Sequence, residues 1–228
     1  MKKNNLILEV SDYWTGMVTI GSQDWTNKNL DVATYRNGDT IPQVQDAKEW
    51  ENLTTGAWCY LNNDASNGTK YGKLYNWYAV HDLRGLAPNG YHIPTVEEWN
   101  QLRDYLTGYL AKNGSAGAKM KSRSGWFYGG NGTNSSRFSG LPGCSRGPSG
   151  GFGLSNTPQE SANWWSSTES DSVHLVYIHW DSERALVHDY LSSDRGNNKR
   201  SGYSVRCLRD RTINFFNRLQ NYIHYYFY

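Results

Sequence analysis

The most regular run of hydrophobic and polar positions in the chain is HIPTVEEWNQLRDYLTGYLAKNG, in which Trp99, Leu102, Leu106 and Leu110 recur at intervals of three and four. That interval places them on one face of an α-helix. Thr95 stands just ahead and Glu98 three residues later, so each side chain can bond the other's free backbone amide in a capping box. Lys112 and Gly114 supply a matching stop, and the spacing predicts a helix over 96–111. Asp46 followed by Glu49, ahead of Trp50 and Leu53, predicts a second, shorter helix in the same way.

Elsewhere the period is two. Leu6, Leu8 and Val10 share one parity, Met17, Val18 and Ile20 follow, and two short strands are expected over residues 1–20. IGSQDWTNKNLDVATYRNGDTIP reads as strand, loop and strand, broken by Asn37-Gly38 and Pro42. GAWCYLNND reads as a strand running into an Asn-Asn-Asp turn. Late in the chain ANWWSST, VHLVYIHW and ALVHDYL are strands, the last two joined by Asp181-Ser182-Glu183-Arg184, and GYSVRCLRD closes the set. In VHLVYIHW the positions Val176, Ile178 and Trp180 share one face, while Leu175, Tyr177 and His179 share the other. Strands, helices, long loops and a late antiparallel sheet, in that order, specify the α+β class.

Two stretches fit neither period. From Asn113 to Gln159 the chain is rich in Gly, Ser and Asn, yet Trp126, Phe127, Tyr128, Phe138 and Phe152 are spaced through it. Aromatic residues at such intervals predict long ordered loops pinned to a core, a common setting for binding surfaces. The tail TINFFNRLQNYIHYYFY carries Ile213, Phe216, Leu219 or Gln220, and Ile223 at helical spacing, which predicts a terminal helix docked on the domain or on a sister subunit, a route to a homo-oligomer.

Composition narrows the class of partner. The 228 residues suit one domain with extended ends. Lys+Arg 23 against Asp+Glu 21 leaves a formal charge of +2 with no dense basic run, which gives no footing for a nucleic acid or an anionic membrane. No segment approaches the roughly 20 apolar residues of a membrane span. The opening MKKNNLILEV has too short an apolar run for an ordinary signal peptide, so a surface or virion location would need another route.

Candidate chemistry is sparse. Cys59, Cys144 and Cys207 stand far apart, with neither a CxxC pair nor zinc spacing. They read first as buried free thiols; one bridge, such as Cys144 to Cys207, is the alternative and needs an oxidising compartment. His174 and His179 have opposite parity, so His174, His179 and His188 are expected as surface or contact histidines and no metal site is expected. His81-Asp82 and His92 are expected in hydrogen-bonded structural roles. GPSGGFGLS lacks the Lys-Ser/Thr of a phosphate loop, and no GxSxG turn is present, so no catalytic residue is expected. A structural calcium near Asn62-Asn63-Asp64 is the one ion considered, because hard oxygen ligands cluster there; no other cofactor is expected.

The segments IGSQDWTNKNLDVATYRNGD, YGKLYNWYAV, GYHIPTVEEWNQL, SGLPGCSR, WWSSTE and GYSVRCLRD, in this order, resemble the Fibrobacter succinogenes major paralogous domain. The resemblance covers roughly Met17 to Asp210. It implies a relative of the formylglycine-generating enzyme with the C-type-lectin fold: an antiparallel sheet, two or more helices and long ordered loops. The oxidase activity of that enzyme needs a pair of reactive cysteines near the end of the domain, and Cys207 stands alone there. Calcium-dependent sugar binding in lectins of this fold uses Glu-Pro-Asn or Gln-Pro-Asp followed by Trp-Asn-Asp, and only the fragment Trp180-Asp181 is present. The same fold also carries the variable proteins of diversity-generating retroelements, which place mutable positions on the final strands and loops. The resemblance therefore implies an N-terminal extension over 1–16, a lectin-like domain over 17–210 with a variable region at 165–205, and an aromatic tail over 211–228. Trp165, Ile178, Trp180, Val187 and Val205 would hold the sheet.

Val173, Leu175, Tyr177, His179, Leu186, His188 and Tyr190 are expected together on one outer face, which is more apolar than a solvated surface. With His174, Asp181, Arg184, Asp189, Arg195 and Asn197 they form the expected ligand-binding set. Tyr177 and Tyr190 would supply rigid contact area, and Arg184 and Arg195 charged anchors, for a protein or cell-surface ligand.

Overall fold

The computed structural model describes residues 16–108, 116–152, 159–169, 173–179, 186–189 and 198–210. The expected early strand and the helical tail lie outside the described residues. What is described is a mixed α+β architecture in which every ladder between named strands is antiparallel.

The first sheet joins the two ends of the domain. Strands β1 (Met17–Ile20) and β2 (Gln23–Thr26) form a hairpin, with Ile20 opposite Gln23. Strand β9 (Leu208–Arg209) pairs with β2 on one side and with β5 (Tyr91–His92) on the other, giving the order β1-β2-β9-β5. A second, two-stranded sheet pairs β3 (Trp58–Cys59) with β4 (Leu74–Tyr75). The third sheet is β6 (Ser161–Glu169), β7 (Val173–His179) and β8 (Leu186–Asp189), in that order.

Strand β6 divides the core. Alternation sends Trp164 and Trp165 to opposite faces of the sheet, and both are fully buried. Trp164 packs with Trp25, Trp99, Phe138, Val176 and Ile178, while Trp165 packs with Trp77, Tyr75, Tyr91 and Val205. Each indole also ties a different loop, since Trp164 Nε1 donates to Asn29 Oδ1 (2.9 Å) and Trp165 Nε1 to the Tyr75 carbonyl (2.7 Å). A third cluster gathers Trp50, Val44, Cys59, Leu61 and Tyr71. The aromatic-rich composition is thus a set of buried indoles whose N–H groups find carbonyl or amide partners.

The helices follow their start signals. Helix α1 (Ala47–Glu51) opens on Asp46, which accepts from the Glu49 amide at 2.8 Å. Helix α4 (Val96–Thr107) carries the full capping box between Thr95 and Glu98, and buries Trp99, Leu102 and Leu106. It stops earlier than the expected 111, because Gly108 takes φ +81, a conformation open to glycine and resisted by residues with a Cβ. Lys119, in helix α5 (Ala116–Met120), donates to the Leu106 carbonyl at 2.6 Å and completes that end. Leu110, Lys112 and Gly114 lie outside the described residues.

Helices α2 (Gly68–Tyr71) and α3 (Trp77–Val80) are short additions that no apolar period announces. In the loop region Trp126 and Phe138 are pinned as expected, whereas Tyr128 is exposed, with its ring against that of Phe127. The segment GYSVRCLRD differs most from expectation. Only Leu208–Arg209 form a ladder; Gly202, Tyr203 and Ser204 bridge Arg146, Tyr75 and Trp164 in turn, and the carbonyls of Val205 and Cys207 accept from the amides of Leu30 and Thr26. It is a central thread that touches a different segment at each step, so it has no single partner strand.

Candidate recognition surfaces

Two buried arginines hold the scaffold. Arg146 is fully buried and donates to the carbonyls of Gly150 (2.9 Å), Val44 (2.6 Å), Gln45 (2.8 Å) and Asp46 (3.3 Å), with its guanidinium carbon over the Trp50 ring. Arg206 donates to Asn29 Oδ1 (2.7 Å) and to the carbonyls of Thr26 (2.7 Å), Phe138 (2.9 Å) and Ser139 (3.2 Å). A planar fork of five donors suits carbonyls arriving from several loops. These two residues, both inside the quoted motifs, join the loops to the sheet without a carboxylate partner.

The β6-β7-β8 sheet carries the expected ligand set. Val173, His174, Leu175, Tyr177 and His179 lie in β7, and Leu186, His188 and Asp189 in β8. Asp181, Arg184, Tyr190, Arg195 and Asn197 lie outside the described residues, as does Trp180. The register sets Leu175 opposite His188 and Tyr177 opposite Leu186, joining the odd positions of β7 to the even positions of β8. Directly opposed residues share a face of the sheet. His174 is paired with Asp189, at the parity of the buried Val176 and Ile178, so the list divides between two parities.

The same face is covered at its inner edge. On β6, Trp165 stands opposite Leu175 and Asn163 opposite Tyr177, and both β6 residues are buried, their backbone paired with Ser204 of the central thread on the side away from β7. Tyr177 is half-buried. The chain re-enters the described fold at Asn198–Arg200, where Trp50 Nε1 donates to the Arg200 carbonyl (2.6 Å) and the Arg200 guanidinium donates to the Glu51 carbonyl (2.7 Å).

Two hollows flank this framework. One, of about 450 Å3, is lined by Thr55, Trp77, His81, Arg84 and Lys199, with Leu83 fully exposed beside it. His81 stacks on Trp77 with ring centroids 5.6 Å apart. The other, of about 610 Å3, brings together Lys28, Asp31, Lys70 and Arg206. Sequence reasoning missed this larger cleft, because its cations come from positions far apart in the chain and no local charge run announces them.

The remaining candidate groups have structural partners. Cys59, Cys144 and Cys207 are free thiols. Burial pushes the Cys59 thiol up to about 11 and the Cys207 thiol up to about 12, so both are protonated at neutral pH. His92 links Glu98 (2.9 Å from Nε2) and Asp210 (2.7 Å from Nδ1), the hydrogen-bonded role expected of it. Asn62 and Asn63 both take φ +55, and the Asp64 carboxylate accepts from the Ser66 amide at 2.9 Å, which fits the expected turn. Among the described residues no three His, Cys, Asp or Glu side chains come together as a metal-ligand set. No helix among them is long and apolar enough to cross a membrane.

No curated protein and no solved structure matches the chain. The family model of the Fibrobacter succinogenes major domain matches residues 18–209, from the first hairpin to the closing strand β9. The chain belongs to the Fibrobacter succinogenes major domain family.

Proposed function

We propose that this chain is a non-enzymatic recognition module, which displays exchangeable contact residues on β7, β8 and their loops over a C-type-lectin-like scaffold. Its ligand is a protein or a cell-surface receptor. The observation that carries the reading is the register of β7 and β8. It groups Leu175, Tyr177, Leu186 and His188 at one parity, while Val176 and Ile178 at the other are buried in the tryptophan-rich core. Residues at the first parity are set apart from the Val176 and Ile178 positions that anchor the strand in the core, a separation that a surface under frequent change requires. Tyr177 offers broad rigid contact, with Tyr190 and the anchors Arg184 and Arg195 in the adjoining segments.

Two further observations favour this reading. The ends of the region are anchored, at β6 by Trp164 and Trp165 and at Arg200 by Trp50, so change between them has a fixed frame. Buried, protonated thiols at Cys59 and Cys207 are unsuited to the oxidase chemistry of the formylglycine-generating enzyme. The variable-protein form of the proposal requires a near-copy of the codons for 165–205, differing mainly at adenines, beside a reverse transcriptase gene.

The direct test replaces Tyr177, His188 and Tyr190 by alanine together and measures binding to an array of cell-surface proteins and whole cells. Binding is expected to vanish while the thermal midpoint stays near that of the parent. Unchanged binding to every partner would refute this placement of the site. The aromatic residues 211–228, which lie beyond the family match, favour a second reading in which the domain is a surface or virion building block assembled through its tail. Deleting 212–228 and measuring mass in solution separates the two, since only the assembly reading expects a smaller particle.

A further inference from the structure

The cleft of about 610 Å3 is lined by no residue of β6, β7 or β8, although its Asn29 ties to Trp164 of β6. Its size falls within the range of small-ligand pockets. Its walls come from five separate stretches: residues 27–31, 68–72, Ser122, the pair Ser139 and Leu141, and the central thread at Arg206.

The charge in this cleft is one-sided. Arg206 is 1% exposed, and its donors are directed to carbonyls and to Asn29, with no carboxylate against it. Carbonyl dipoles solvate a guanidinium without cancelling its charge, so a positive field remains at the cleft wall that Arg206 lines. Burial pulls the Arg206 pKa down to about 9, which leaves the group charged at neutral pH and marks the cost of keeping it uncompensated.

Lys28 and Lys70 are exposed on the rim and form no ion pair with any described carboxylate. Asp31, the acidic residue of the lining, is bonded to Lys73, which is itself buried against the rings of Trp58 and Tyr60. The acid of the cleft is therefore already neutralised, and three cations are not. Between them stand Asn27 and Thr69, whose side chains suit a hydroxylated ligand, while Asn29, Ser122 and Ser139 are bonded within the scaffold and shape the wall beside the apolar Leu141.

We propose that this cleft binds a sugar-sized, hydroxylated anion, its charged group held by Lys28 and Lys70 over Arg206. Because the guanidinium donors are occupied by the scaffold, Arg206 acts through its charge and the two lysines make the direct contacts. The anionic group can be a uronate-type carboxylate or a phosphate ester. The site is independent of the β7–β8 face.

The test titrates the full chain with glucuronate, glucose 6-phosphate and glucose, following heat and backbone amide shifts. Lys28→Ala with Lys70→Ala serves as the variant, since both side chains are exposed and outside the core; its circular dichroism melt checks that the fold is kept. Saturable binding of an anion is expected, with no binding of glucose, and a loss of about tenfold or more in the double variant. Preference for glucuronate assigns the carboxylate source, and preference for glucose 6-phosphate the phosphate ester; either supports the site. Absence of saturable binding by both anions overturns it, as does equal binding of glucose or an undiminished affinity in the double variant. Raising the salt should weaken binding, and a salt-independent affinity would overturn the electrostatic basis.

Discussion

At the scale of single residues, the buried cations are held by geometry that no other side chain reproduces. Arg146 bonds four carbonyls and lies on Trp50 at 4.3 Å, so Arg146→Lys removes the fork and leaves carbonyls unpaired in the interior. The substitution is expected to cost about 2–4 kcal/mol, read as a lower urea midpoint at unchanged slope. His92 makes a second residue-scale prediction. Its bonds to Glu98 and then to Asp210 raise its pKa against the opposing effect of burial. Burial also opposes ionisation of Glu98, but the bonds from His92 and Thr95 prevail and lower its pKa. A raised histidine pKa stabilises fully below the unfolded value and is lost as pH rises through the folded one. A lowered carboxyl pKa stabilises above its unfolded value and is lost as pH falls. Both contributions coexist between about pH 4.5 and 6.5. The melting difference between the parent and His92→Gln is expected to peak in that window and shrink above it. Half-exposure of the imidazole keeps the effect below about 1 kcal/mol. A bonded role for His92 was legible from its setting, but its partner Asp210 is far along the chain and was not.

Elements were legible where their signals are local. The capping box of α4 and the Asp46 cap of α1 are read from neighbouring residues, and both are present. The end of α4 was misplaced because two glycines, Gly108 and Gly114, can each stop a helix, and only the backbone conformation decides between them. Helix α3 was missed because its signal is a single asparagine. Asn76 is fully buried, its Oδ1 accepts from the amides of Ala57 and Ala79 (3.0 Å each), and its amide donates to the Thr55 carbonyl (2.8 Å). It thus caps α3 and fixes β3 beside it. Asn76→Ala removes three hydrogen bonds and leaves the buried Ala57 amide without its acceptor, and is expected to cost about 2–4 kcal/mol, whereas Thr95→Ala, at a partly exposed cap, costs about 1 kcal/mol. Chemical denaturation of the two variants checks the order; equal losses would show that Asn76 acts as a cap alone. Gly56 sits in the same corner, where an added Cβ would meet the Tyr35 hydroxyl at 1.9 Å, so this backbone approach admits no side chain.

At the scale of the whole molecule, the α+β class followed from the order of periods, and the alternation of β7 survives in the buried Val176 and Ile178. The cleft did not follow, since it depends on which distant loops the central thread draws together. That thread also makes the last few residues of the domain decisive. Strand β9 is the middle link of the β1-β2-β9-β5 sheet, Leu208 packs against Trp25 and Trp99, and Asp210 bonds both His92 and, through its amide, the Gly90 carbonyl at 2.8 Å. Removing β9 would leave β2 and β5 each without its partner and open the tryptophan cluster, a loss far beyond one hydrogen bond. A chain ending at Asp210 is therefore expected to melt cooperatively within a few degrees of the full chain, whereas one ending at Arg206 loses the transition at room temperature. Thermal unfolding followed by tryptophan fluorescence distinguishes them, because the indoles of Trp25, Trp99 and Trp164 report on the cluster that β9 closes. Cooperative melting of the shorter chain would mean that the hairpin and β5 are held by the core alone, and that the sheet joining the ends of the domain is dispensable.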